Sequence, residues 1–486
     1  MSSRRCGQTI REQKDGPGST AAVYVAAFAV CVGAVCTGIA LAWTSNVSEK
    51  LLAGSLNGMF FEKMDVAWAV GIMKIGCCVT TIPIGVLLDT IGRKTTMMVA
   101  TLPFYVGYVL IAFATHKYML FAGRFIIGLG AGAFSCCSPL YAAEIAHKEI
   151  RGSVVSFYFM FVSFGFVYAN VLGWLLPIKL FIFACIIVPV IFTTMFFFQP
   201  KSPVYSIQSG KAMEAMEALK ALRGSKYDVT AEMKTIKLEL SIALGGSNFF
   251  QLFKDRGVIR GFIISVTLLI LKHLVGSTLV LIFTSEIVKA CGFGDIAVKS
   301  AVITGGMIQA LASFVPLYLV DRVGRRFLLI IGFSITLISS AVLGAFYVSL
   351  DRKLLSPNLL NTFSFVPLSA LALYWFGYGV GLGNIAALTA VEIFPACFRA
   401  KLKCFSEFVN WSASFVVTMT YLQFGEAYGH DLLYFFYCFF SMIGILLVIY
   451  VYPEASRKTS LEIFDEIRKR KHIFRRYRAE PIRGLR

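Results

Sequence analysis

Long apolar runs separated by short polar turns organise this chain. Twelve of them fall at about 22–43, 66–88, 96–115, 119–141, 153–174, 177–198, 259–283, 297–320, 327–349, 363–388, 404–424 and 432–452. None alternates apolar and polar positions as a half-buried strand does, and all are too long for strands, so they read as helices rather than a barrel. A helix of about 20 apolar residues crosses about 30 Å of hydrocarbon, which makes each run a candidate membrane span. The first follows a polar leader of about 20 residues, lacks a small-residue cleavage site and exceeds a signal-peptide core, so it reads as a retained helix.

One long polar segment, 199–258, divides the runs into six and six. Within it, Lys211–Arg223 is dense in strong helix formers and bracketed by Gly210 and Gly224, and a second helical stretch follows near Ala231–Leu240. The segment therefore reads as a small helical domain. The expected organisation is a tail at 1–21, a six-helix half at 22–198, the helical linker domain at 199–258, a second six-helix half at 259–452 and a basic tail at 453–486. In that last tail Ser460-Leu461-Glu462 starts a helix carrying Ile463, Phe464 and Ile467.

The turns repeat. Asp89-x-x-Gly92-Arg93-Lys94 returns as Asp321-x-x-Gly324-Arg325-Arg326, and Glu144-Ile145 with Arg151-Gly152 returns in the same order as Glu392-Ile393 with Arg399-Ala400. Two paired motifs in parallel order indicate a duplicated half. Duplicated halves with basic turns between apolar spans are a common construction of membrane transporters.

Composition agrees: 57% of the 486 residues are hydrophobic and 15% charged, outside the norm of soluble domains. The net charge of +19 would suit a nucleic-acid binder, but its distribution excludes that partner. With both termini placed inside, roughly three-quarters of the Lys and Arg fall on the cytosolic side, as the positive-inside rule requires. The expected location is a multi-pass protein of the plasma membrane with cytosolic termini. Between Arg468 and Arg478 a dense basic run is interrupted by Ile473, Phe474 and Tyr477. It could contact anionic lipid at about 1 kcal/mol per cation, or serve only as a positive-inside flank. Most of the twelve cysteines lie in apolar runs and only Cys291 in an outer loop, with no disulfide or metal spacing. No cofactor is expected. Asn46-Val47-Ser48 forms a glycosylation triplet close to the outer end of the first run.

These motifs resemble the sugar porter branch of the major facilitator superfamily, and within it the insect facilitated trehalose transporter-like proteins. The resemblance spans about residues 22–465. It rests on Gly85-x-x-x-Asp89-x-x-Gly92-Arg93-Lys94, Gly123-Arg124-Phe125-x-x-Gly128-x-Gly130 and Pro139-x-Tyr141-x-x-Glu144-Ile145 in the first half. In the second half it rests on Asp321-x-x-Gly324-Arg325-Arg326, Glu392-Ile393-Phe394-Pro395, Asn410-Trp411 and Pro453-Glu454. It implies an all-α membrane protein of major facilitator fold, with twelve transmembrane helices in two halves and a cytosolic helical domain. It further implies facilitated movement of a sugar such as a hexose or trehalose by alternating access.

Charged groups at the inner helix ends can pair between the halves and bias such an equilibrium, since Arg–carboxylate geometry favours one docked arrangement. That gating role falls to Asp89, Arg93, Glu144, Arg151, Asp321, Arg325, Glu392 and Arg399. The family's Pro-Glu-Ser-Pro-Arg turn reads Pro200-Lys201-Ser202-Pro203-Val204 here, so the first gate should be weaker or differently wired.

The expected cavity departs from the family. Its Gln-Gln-x-x-Gly-x-Asn stretch is Lys272-His273-Leu274-Val275-Gly276-Ser277-Thr278, Phe159 stands where many members have glutamine, and Gly383-Asn384-Ile385-Ala386-Ala387 replaces Gly-Pro-x-Pro-Trp. Gln309, Asn410 and Trp411 remain recognisable. Candidate substrate-binding residues are thus Phe159, Lys272, His273, Thr278, Gln309, Asn384, Asn410 and Trp411. A lysine as deep as Lys272 costs roughly 2.5–3.5 kcal/mol on insertion scales, so it should line water, pair with an acid or meet an anionic ligand. Lys74, in the outer third of its span, should reach the interface. Proton-coupled members place an aspartate where Cys36 falls, and Glu407 lies only a turn inside the expected start of its span, which favours uniport. Two alternatives stay open: an organic-anion or other polar-solute carrier built on Lys272 and His273, and a non-transporting sensor-like relative. No catalytic spacing or phosphate-binding loop points to an enzyme.

Overall fold

The computed structural model describes residues 20–469 except 148, 225–226, 242–252, 291–292, 353–364, 429, 457 and 459. Cys291 and the basic stretch beyond Lys469 lie outside the described residues. All regular structure described is helical. Eleven helical stretches are long and apolar enough to cross a membrane, among them Ala21–Leu52, Lys63–Thr90, Lys117–Ile145 and Arg325–Leu350. At the expected eleventh span lies one further helix, Ala396–Tyr428, whose first turns carry Arg399, Lys401, Lys403 and Glu407.

The repeat seen in sequence is also a repeat of backbone. Gly92 and Gly324 both stand before the helix that their following arginine begins, at φ 88°, ψ 161° and φ 100°, ψ 159°. A side chain is strained at such positive φ, and a Cβ would meet the Tyr205 ring in one case and the Glu454 carboxylate in the other. Glycine is therefore dictated twice by the same turn.

Within the first half, helices approach through small residues. A Cβ on Gly38 would lie 2.0 Å from the Val162 carbonyl, and one on Gly128 would lie 2.1 Å from that of Met73. Such pairs let backbones pack closely where lipid supplies no hydrophobic drive between helices. Outward faces keep large apolar residues exposed, for example Val86, Ile187 and Phe439.

Two spans are interrupted where the cavity forms. The expected seventh runs as Arg256–Leu274 and Ser277–Ala290, broken at Gly276 (φ 87°), where a Cβ would meet Tyr437 at 2.4 Å. The expected tenth widens into a π-helical turn, Tyr378–Leu382, between Phe365–Gly377 and Gly383–Glu392. Such turns often mark functional sites. Here a π-turn stands beside the stretch where the resembled family carries its prolines.

Three short helices follow the first half: Pro203–Gln208, Ala212–Arg223 and Val229–Ser241. The first was not anticipated. Its N-cap Ser202 accepts from Tyr205 N. Ala215, Leu219, Val229 and Met233 form a small separate core. Arg223 ties this unit to the large bundle, donating to the Ile145 carbonyl at 2.8 Å while pairing with Glu232 at 2.7 Å.

Asn46 corrects an expectation. The first helix continues to Leu52, so the triplet lies within a helix. Asn46 Nδ2 donates to Ala42 O (2.9 Å) and to Asn170 Oδ1 (2.7 Å). This helical setting differs from the surface loop in which such acceptors usually lie.

Candidate functional site: a charged helix-end network below a shared cavity

At the end of the bundle bearing the repeated turns, each half builds the same ion-pair cluster. Arg93 is 1% exposed; its Nε lies 3.0 Å from both Glu144 oxygens and its Nη2 2.9 Å from Oε1. Its Nη1 donates to Leu88 O, five residues back, and lies 3.4 Å from Asp89. Arg325 repeats the pattern. It holds Glu392 at 3.1 and 2.6 Å and Asp321 at 2.7 Å, and donates to Val320 O, again five residues back. Burying these arginines is tolerable because each meets carboxylates in forked geometry. The altered turn is rewired rather than lost: Ser202 Oγ donates to Glu144.

The pairing between halves differs from expectation. Arginine–glutamate pairs form inside each half, because Glu144 and Glu392 lie at helix ends beside their own repeated turn. The bonds across the halves are of another kind. Asp321 Oδ2 accepts from Ser153 N at 2.8 Å and from Ser153 Oγ at 3.0 Å. Arg151 of the first half and Arg399 of the second both donate to Ser460 Oγ of the C-terminal helix, at 3.2 and 2.8 Å, which bridges the halves. At the opposite end Glu49 of the first half meets Lys289 at 3.0 Å and Lys299 at 3.9 Å.

Between these ends lies a cavity of about 110 Å³ lined from both halves. Of the expected substrate residues, Phe159, Lys272, His273, Gln309, Asn410 and Trp411 line it. Asn384 does not: it is buried, 2% exposed, while its helix presents Gly383 and Ala387 to the cavity. The Thr278 side chain lies outside the described residues. Cross-half bonds brace the wall. Gln309 Nε2 donates to Ser163 Oγ at 3.1 Å, and Trp411 Nε1 donates to Ser135 Oγ at 3.1 Å. Gly383 admits the Phe159 ring, which a Cβ would approach to 2.1 Å.

Two charged residues were misplaced by the sequence. Lys74 is 1% exposed and does not reach the interface; its ammonium donates to Ser414 O at 3.2 Å and to Thr418 Oγ1 across the halves. Glu407 lines the cavity, because its helix begins at Ala396 and places it about three turns inside. Lys403, itself buried, pairs with Glu407, which also accepts from Asn410 Nδ2 at 2.9 Å. Asn410 Oδ1 then meets His273 Nε2 at 2.9 Å, completing a chain from Lys403 to His273. Arg124, which sequence reading did not assign to the cavity, also lines it. Its guanidinium sits 5.3 Å from the Trp43 ring and donates to the carbonyls of Ala40 and Ala69.

Known proteins resemble this chain along most of its length. Facilitated trehalose transporter Tret1 of Bombyx mori is 29% identical over 442 residues, covering 90% of this chain and 85% of that protein. Its counterpart from Polypedilum vanderplanki is 29% identical with similar coverage, 90% and 86%. The major facilitator proton:xylose symporter XylE, bound to 6-bromo-6-deoxy-D-glucose, superposes with a TM-score of 0.81 at 22% identity over 92% of this chain and 99% of that one. The inward-open XylE of E. coli gives 0.69 at 20% identity over 91% and 99%. The family model described as Sugar (and other) transporter matches residues 42–467, and with that the chain belongs to this family, the membrane sugar porters of the major facilitator superfamily.

Proposed function

We propose that the protein is a facilitative carrier that moves a sugar across the membrane by alternating access between two six-helix halves. In this reading Ala396–Tyr428 is the eleventh of twelve spans, and residues 22–198 and 259–452 are the halves. The short helices between 199 and 258 form a cytosolic domain, and residues 1–21 and 453–486 are cytosolic tails of a plasma-membrane protein. The observation that carries the reading is one cavity, lined from both halves and closed toward the repeated turns by Asp321–Ser153 and Arg151–Ser460. Breaking these few bonds separates the halves at that end, while the intact Arg93–Glu144 and Arg325–Glu392 pairs keep each half rigid.

Gln309 and Asn410 supply hydroxyl-binding groups, and Phe159, Tyr378 and the Trp411 ring supply apolar walls against the sugar ring. Gln309 Oε1 lacks a partner and is free to accept from a hydroxyl. Coupling is passive. Cys36 stands where proton-coupled members carry an aspartate, and Glu407 is held by Lys403 and Asn410. The test is uptake of labelled glucose and trehalose by proteoliposomes. Saturable uptake unaffected by a protonophore supports uniport; uptake that collapses with the proton gradient replaces it with symport. No uptake by folded protein favours a sensor-like relative.

A further inference from the structure

The charges around the cavity do not balance. Among the described lining residues, Lys74, Arg124 and Lys272 are cationic and Glu407 is the carboxylate. Glu407 already belongs to Lys403, a buried cation behind the wall, and to Asn410. Lys74 bonds only a carbonyl and a hydroxyl, and Arg124 bonds only carbonyls. The Lys272 ammonium makes no hydrogen bond or ion pair among the described residues. Three basic side chains thus line one cavity with no carboxylate of their own among the described residues. The hydroxyls of a neutral sugar would solvate them but leave the charge in place. An anion offsets it at close range in a medium far less polar than water, where attraction between opposite charges is several-fold stronger.

Geometry selects which cations act. The Arg124 donors are committed to Ala40 and Ala69, so it contributes field rather than contact. Lys74 and Lys272 lie on opposite halves and both line the cavity. We propose that the carried solute is an anionic sugar derivative, a polyhydroxylated skeleton bearing one carboxylate or phosphate. Its charged group binds between Lys272 and Lys74, its hydroxyls meet Gln309 and Asn410, and its ring packs on Trp411. Since the two lysines come from different halves, the anion also draws the halves together around itself. This inference rests on the carrier reading above and narrows its substrate.

The test uses full-length protein in proteoliposomes with labelled glucuronate, glucose 6-phosphate, glucose and trehalose, at high and low chloride. The expected result is saturable uptake of glucuronate or glucose 6-phosphate at least tenfold above glucose, slowed by an inside-negative potential. Which of the two is taken up separates carboxylate from phosphate. Lys272→Gln should lower the ratio of anionic to neutral uptake at least tenfold, and Lys272→Arg should restore it. Thermal unfolding of each variant in detergent verifies that it folds. Glucose or trehalose uptake that neither anionic sugar inhibits overturns the inference and leaves the carrier standing. Neutral-sugar uptake that depends on chloride, with no anionic-sugar uptake, marks an inorganic counter-ion and also overturns it. No binding or uptake of any of the four by folded protein overturns both.

Discussion

Replacing Asp321 by alanine should unlock the end of the bundle bearing the repeated turns without unfolding the protein. Asp321 is the acceptor of two bonds across the halves, from Ser153 N and Ser153 Oγ, at 2.8 and 3.0 Å. Hydrogen bonds to charged groups contribute about 1.5–3 kcal/mol each, so losing both shifts the closed state by at least about 3 kcal/mol. At 1.4 kcal/mol per tenfold, that is roughly a hundredfold rise in the open population. The fold survives because Arg325 keeps Glu392 at 2.6 Å, so no buried charge is stranded. Cys404 reports the opening. It is 2% exposed and packs against Gly85 of the opposite half, where a Cβ would lie 3.2 Å from it. Its labelling by an impermeant maleimide in inside-out vesicles, read at peptide level, should accelerate about a hundredfold, with Ser153→Ala intermediate. An unchanged rate in a folded Asp321→Ala protein refutes the assignment of these bonds as the closure.

Other substitutions separate scaffold from site. Arg93→Gln strands Glu144 in a buried position and should destabilise the detergent-solubilised protein by about 3–5 kcal/mol in thermal unfolding, with the Arg93→Gln/Glu144→Gln pair recovering part of the loss. Gly383→Ala drives a Cβ into the Phe159 ring and should cut transport at least tenfold, and Gly383→Ala/Phe159→Leu, which removes those ring atoms but keeps an apolar wall, should restore part of it; no rescue removes this contact from the cavity. His147, at the edge of the short-helix unit beside Tyr227, has its pKa held below the ordinary 6.5 by burial and by the nearby Arg223. A lowered histidine pKa means the undocked state binds more protons, so docking is complete above pH 6.5 and weakens as pH falls below it. Protection factors in Val229–Ser241, corrected for the intrinsic exchange rate at each pH, should therefore fall between pH 7.5 and 5 and lose that dependence in His147→Gln.

Much of this architecture was legible in the residues. Apolar length located most helices but not all their ends, the first running on to Leu52 and the eleventh starting at Ala396, while Gly210 and Gly224 bracketed Ala212–Arg223 because positive φ at both positions admits little else. The repeated Asp-x-x-Gly-Arg turns announced two equivalent corners, since glycine and the buried arginine are both forced there. What could not be read was azimuth. Counting along a helix gives depth but not facing, so Lys74 was sent to the interface and Asn384 to the cavity. Glu407 was misjudged in depth, because the charges at Arg399, Lys401 and Lys403 hid the true start of its helix. The cross-half bonds escaped because Ser153 and Ser460 carry no signal that marks them as partners of Asp321 and Arg151.

The decisive experiment is tracer counterflow. Proteoliposomes holding the full-length chain are preloaded with unlabelled glucose, trehalose or glucuronate and diluted into a trace of the same labelled sugar. Two halves alternating about one cavity predict a transient overshoot of label above equilibrium for at least one of the three, abolished by Gly383→Ala. Simple equilibration without overshoot, or no entry of any sugar into liposomes bearing folded protein, would contradict alternating access by this chain.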